Sequence, residues 1–150
     1  MPLDEVMRDT TAMGGLAIYL FAAVFFLILG NMKVAVELII ALLLLYAVIA
    51  VIRTLFFKKR PDKQKYAGFF TRIDAGSFPS MHAARSLALA IILGTVFTSI
   101  AIRAVLAVAV LLVALTRIGL KRHYLSDVIG GLVLGSVVAW AAIRLAHFFV

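Results

Sequence analysis

Residues 34–57 read VAVELIIALLLLYAVIAVIRTLFF, an almost unbroken apolar run without a proline or glycine. A helix crosses the hydrocarbon of a bilayer in about 20 residues, because each residue rises about 1.5 Å. Val34–Phe57 is long enough, and the chain on either side repeats the pattern. Gly14–Gly30 precedes it across a tight connection at Asn31-Met32-Lys33, and Phe78–Thr98, Ile100–Leu120 and Leu125–Val150 follow. Almost nothing separates Thr98 from Ile100, so the third and fourth runs must form a helical hairpin. The expectation is an all-α, polytopic transmembrane bundle of about five spans, one domain over residues 1–150.

Composition supports this. Of 150 residues, 65% are apolar and 15% charged, with a mean hydropathy of +1.13. Soluble domains average roughly 45–50% apolar and about 25% charged, and the polar residues here could not cover a soluble surface. The absence of cysteine excludes disulfides, thiolate metal sites and thiol nucleophiles. The net charge of +8, from 15 basic and 7 acidic residues, would suggest nucleic acid in a soluble chain. In a membrane protein it points to anionic lipid instead, and no nucleic-acid partner is expected. The start, Met1-Pro2-Leu3-Asp4-Glu5, has acids where a signal peptide needs positive charge, so no processing is expected. The expected location is the cell membrane.

Two basic connections carry the charge. Residues 58–77 hold Lys58, Lys59, Arg60, Lys63, Lys65 and Arg72 against Asp62 and Asp74, and Lys121-Arg122-His123 joins the fourth span to the fifth. Crossing parity puts both on one face, with only Lys33, Arg103 and Arg144 of the 15 basic residues opposite. Positive-inside bias makes that face cytoplasmic. Gly130-Gly131 and Gly135 have the small-residue spacing that lets another helix approach closely.

Ionisable groups in membrane spans cost roughly 2.5–3.5 kcal/mol each at mid-helix, so their placement carries functional meaning. Here they gather at one face: Arg53 ends the second span; Ser80, His82 and Arg85 begin the third; Arg117 closes the fourth; His123 and Asp127 open the fifth. Pro79-Ser80-Met81-His82 reads as a helix start, whose free N–H groups either cradle phosphate or simply form an ordinary cap. His123 and Asp127, four apart, fit a carboxylate that hydrogen-bonds an imidazole and fixes its tautomer. They fit equally an interfacial histidine beside a dipole-stabilised aspartate. Arg53, Arg60 and Arg117 suit bidentate phosphate binding, or snorkelling at span ends.

Taken together, Arg53-x6-Arg60-Pro61, Pro79-Ser80-Met81-His82 and Thr116-Arg117-x5-His123-x3-Asp127 resemble the three-part signature of the type 2 phosphatidic acid phosphatase (PAP2) superfamily: K-x6-RP, PSGH and SR-x5-H-x3-D. The resemblance spans Arg53 to Asp127, about half the chain. Arg53 replaces the family lysine, Met81 the glycine and Thr116 the serine; each keeps the charge, amide or hydroxyl. Membrane members usually have six spans against the five expected here. The resemblance implies a membrane phosphatase in which His123 attacks phosphorus, Asp127 orients its ring and His82 protonates the leaving alkoxide. Arg53, Arg60, Arg117, Ser80 and the backbone of Met81 and His82 would bind the phosphoryl oxygens.

Three arginines and a helix terminus can neutralise a phosphoryl group, so neither metal nor other cofactor is expected. A site at headgroup depth suits a lipid phosphate: phosphatidic acid, phosphatidylglycerophosphate, or a polyprenyl phosphate or diphosphate. Two other readings compete. His82, His123 and Asp127 match the two-His, one-carboxylate set of non-haem iron, though nearby arginines repel a cation; activity surviving EDTA and inhibited by vanadate separates the two. A non-catalytic subunit that binds or transports anionic lipid would release no phosphate from any lipid phosphate.

Overall fold

The computed structural model describes residues 3–62 and 67–150; Lys63 and Lys65 lie outside them. The described chain forms seven helices: α1 (Leu3–Ala12), α2 (Leu16–Ile28), α3 (Met32–Leu55), α4 (Phe69–Ala75), α5 (Met81–Val96), α6 (Ile100–Gly119) and α7 (Leu125–Ala146). The protein is an integral membrane helical bundle. Three helices, α3, α6 and α7, are long and apolar enough to cross a membrane unaided. The other two expected spans are shorter apolar helices, α2 with 13 residues and α5 with 16.

Local chemistry accounts for the shortening. At the far end of α2 the chain turns through Gly30, whose φ of +75° suits a residue without a side chain. Asn31 then caps α3, its side chain accepting from the Val34 amide at 3.3 Å. Phe78 and Pro79 precede α5 in non-helical backbone, joined by a cis peptide bond, and Ser80 is its N-cap.

Two helices were not expected. The polar 58–77 connection contains α4, which begins where the Thr71 hydroxyl accepts from the Gly68 amide at 2.8 Å. The N-terminal α1 packs on the site end of α6, where Thr11 and Thr116 hydroxyls meet at 2.8 Å. Any side chain at Gly119 would strike Met7 at 2.8 Å.

The core lies among α2, α3, α5 and α7. Leu38, Ala41, Leu45 and Ile49 of α3 face Ala84, Ala88 and Ile92 of α5 and Ala139 and Ala142 of α7. Alanine and glycine permit that approach. A side chain at Gly131 would meet the Ser80 carbonyl oxygen at 2.5 Å, and one at Gly135 the Ala84 carbonyl oxygen at 2.5 Å. The glycines therefore pack α7 onto α5, and the Ser80 amide donates to the Asp127 carbonyl at 2.9 Å, joining the functional ends of the two helices. Outside this core, large apolar side chains face outward: Phe21, Leu43, Leu55, Val105, Leu115, Val133 and Trp140 are all exposed, as lipid contact requires.

Candidate active site

The site forms where α3 and α6 end and α5 and α7 begin. Arg53, in the last turn of α3, is buried. Its Nη1 donates to the Ile73 carbonyl at 3.1 Å and its Nη2 to the Pro79 carbonyl at 2.9 Å, tying α4 to the start of α5. Its Nε has no acceptor. Arg60, half-buried, donates from Nη2 to the Asp74 carbonyl at 2.6 Å. Between them Lys59 pairs with Gly76 in an isolated antiparallel bridge, and the Ser77 amide donates to the Lys58 carbonyl at 2.8 Å. The basic connection is thereby folded back beneath the site.

Ser80 is fully buried, and its hydroxyl accepts from the Ala83 amide at 3.5 Å. Its side chain thus caps the helix, leaving Met81 and His82 in the first turn to line the site. Arg117 lies in the last turn of α6, buried, with its Nε unpartnered. The α6–α7 connection explains why five residues separate it from His123. Lys121 takes a left-handed φ of +53°, the chain reverses, and the Arg122 and His123 amides both donate to the Arg117 carbonyl at 3.1 Å.

His123 is 3% exposed, and the partner of its Nδ1 is the Ser77 carbonyl oxygen at 2.7 Å. A carbonyl only accepts, so Nδ1 carries the proton and the lone pair of the neutral ring is on Nε2. The His123 pKa is pushed down to about 3, chiefly by burial and next by the fields of Arg117 and Arg60; the Ser77 carbonyl opposes this and Arg53 adds to it. The ring is therefore neutral at ordinary pH and chemically able to serve as a nucleophile or base.

The direct Asp127–His123 hydrogen bond suggested by their spacing is not formed. The closest approach, Nδ1 to Oδ2, is 3.9 Å. The cause is competition within a fully buried carboxylate: Oδ1 accepts from Lys58 Nζ at 2.6 Å, and Oδ2 from the Tyr124 amide at 2.9 Å and from the Ser77 hydroxyl. Ser77 thus touches both members, with its hydroxyl on Asp127 and its carbonyl on His123. Neither Ser77 nor Lys58 stood out in the sequence; the only signals were a polar residue three before Ser80 and a lysine two before Arg60.

Two cavities meet at His82, which is half-buried. One, of about 570 Å³, is lined by Thr11, Arg60, Asp74, His82, Arg117 and Arg122. The other, of about 330 Å³, runs between α3 and α5 and brings together Arg53, Arg60, Met81, His82, Arg85 and His123. Two imidazoles and several guanidiniums, against the single carboxylate residue Asp74, thus border a space that suits an anion. Among the described residues no three His, Asp or Glu side chains gather as a metal site would require.

The PAP2 superfamily model matches residues 34–150, from the start of α3 to the last residue. The chain belongs to the PAP2 superfamily. Solved structures agree on the PAP2 fold. LpxE from Aquifex aeolicus superposes with a TM-score of 0.79 at 23% identity, over 95% of this chain and 86% of that one. A transmembrane PAP2-type phosphatidylglycerolphosphate phosphatase from Bacillus subtilis superposes with a TM-score of 0.66 at 20% identity, over 97% of this chain and 77% of that one.

Proposed function

We propose that this protein is a membrane-embedded, metal-independent phosphatase that removes phosphate from a lipid phosphate through a phosphohistidine intermediate. The observation that carries this reading is the His123 ring: its Nδ1 proton is committed to the Ser77 carbonyl, and it borders with His82 a cleft also lined by Arg53 and Arg60. His123 Nε2 attacks phosphorus and the P–O ester bond breaks. The electron pair leaves on the alkoxide, which takes a proton from His82, a ring whose charged form the bound phosphoryl anion favours. Water then attacks the phosphohistidine, His82 takes its proton, and phosphate departs with the His123 ring restored. Arg53, Arg60, Arg117 and the first-turn amides of Met81 and His82, shaped by the Ser80 cap, neutralise the equatorial oxygens.

Outward-facing apolar helices beside this cleft favour an amphiphile that keeps its phosphate at headgroup depth and its tails in lipid. The candidates are phosphatidic acid, phosphatidylglycerophosphate and polyprenyl phosphates or diphosphates. The basic residues around the site favour the cytoplasmic face of the cell membrane. Purified protein in detergent is expected to release phosphate from at least one of these lipids, with release abolished in His123→Ala while substrate still binds. Near-wild-type turnover in that variant would overturn the assignment of His123. No release by the wild type from any of them would leave an anionic-lipid-binding or transport subunit as the better reading.

A further inference from the structure

Arg85 takes no part in the steps above. It lies on α5 three residues beyond His82, one turn deeper from the site end, and is 5% exposed. A guanidinium stays charged at any physiological pH, and burying one without an anion is unfavourable. Among the described residues none supplies that anion. Arg85 forms no ion pair; its Nη1 donates to the Tyr46 hydroxyl at 3.2 Å, and its Nε has no acceptor. The carboxylate lining the same cleft, Asp74, acts on Arg53 and Arg60.

Position within the cleft is informative. Arg85 follows His82 by three residues on α5, so the two share one face of that helix and line the same cleft. Arg85 is therefore on the side of His82, the residue that the proposed mechanism gives to the leaving group. α3 runs toward the site and α5 away from it, so Tyr46 and Arg85 are the deepest residues that each contributes to the cleft. Their hydrogen bond crosses its deep end, and Ile49 and Ala50 line the cleft beside Tyr46.

We propose that Arg85 and the Tyr46 hydroxyl form a second anion subsite, which binds a phosphoryl group carried by the leaving group itself. The preferred substrate is then a lipid diphosphate, a choice within the phosphatase reading on which this inference rests. His123 Nε2 bonds to the terminal phosphorus, and the bond from that phosphorus to the bridging oxygen breaks. The electron pair stays on the departing lipid monophosphate, whose charge Arg85 meets. Water then releases the terminal group as inorganic phosphate. A phosphate leaves far more readily than an alkoxide, so a fixed cation suits this leaving group as a proton donor suits an ester.

Farnesyl diphosphate and farnesyl monophosphate, presented to the full chain in detergent, are matched probes. Wild type is expected to show kcat/KM at least about tenfold higher for the diphosphate, as a charge-assisted contact would give. Arg85→Gln should lower that ratio about tenfold, and Arg85→Lys should restore part of it. A wild-type ratio near one, or a ratio unchanged in Arg85→Gln, overturns the inference and leaves the phosphatase reading intact. Should the wild type release phosphate from neither probe, the phosphatase reading fails, and calorimetric titration with methylenediphosphonate and with inorganic phosphate decides the subsite. Diphosphonate binding selectively weakened by Arg85→Gln supports it; equal binding by both proteins overturns it.

Discussion

At the scale of single residues, the chemistry turns on one proton. His123 donates it from Nδ1 to a backbone carbonyl, where the spacing to Asp127 had suggested a carboxylate. Four residues on a helix bring two side chains to one side, and that much could be read from the sequence. A backbone acceptor has no side-chain signature, so the Ser77 carbonyl could not be. Nor could the competition of Lys58 for Asp127, which depends on the fold of the basic connection. With a pKa of about 3, His123 stays neutral as pH falls through 6.5, where an ordinary histidine would gain a proton. Imidazole ¹⁵N spectra of the substrate-free protein are expected to show a neutral His123, protonated at Nδ1, from pH 8 down to pH 5; a charged ring at pH 5.5 would contradict this. Folding carries the same sign. The unfolded chain binds a proton at this residue below about pH 6.5 that the folded ring refuses until about pH 3, so acid lowers stability across that window. Ser77→Ala keeps the carbonyl but removes the hydroxyl from Asp127. It should lower kcat by about tenfold with little change in KM, Ser77→Thr recovering part of the loss.

At the scale of elements, the apolar runs of α3, α6 and α7 were legible, because only a membrane span uses so many consecutive apolar residues. The two additional helices were not. α4 has seven residues within a charged connection, and α1 mixes acids and threonines with Val6 and Met7, so neither has the apolar length of a span. The glycines of α7 have the spacing of packing residues in the sequence, and the structure shows what they pack against. Gly135 touches the Ala84 carbonyl, so a larger residue pushes α5 from α7 and pulls on the Ser80–Asp127 link. Gly135→Leu is expected to destabilise the protein in detergent by about 1–3 kcal/mol and to cut activity with it. Gly94, where an added side-chain carbon would meet no other part of the protein within 4 Å, is the control: Gly94→Ala should be neutral or stabilising by up to about 1 kcal/mol in thermal unfolding. Equal behaviour of the two variants would contradict this packing account.

At the scale of the whole molecule, a chain with a net charge of +8 gathers a cluster of arginines at one end of an apolar bundle. Arg53, Arg60, Arg85, Arg117 and Arg122 border the cavities, and Arg122 also pairs with Asp62 at 2.8 Å. Lys121, exposed on the α6–α7 connection, gives a direct readout of sidedness. Maleimide should label Lys121→Cys only after intact cells are permeabilised, and labelling of sealed cells would place the site on the outer face. The central claim concerns His123 as nucleophile. The most direct test is an alkaline quench during turnover of a ³²P-labelled lipid phosphate by the purified protein. Radioactivity that is acid-labile and alkali-stable, on the peptide containing His123 and absent from His123→Ala, is the result expected. Turnover with no covalent label, or with label on another residue, would contradict the mechanism.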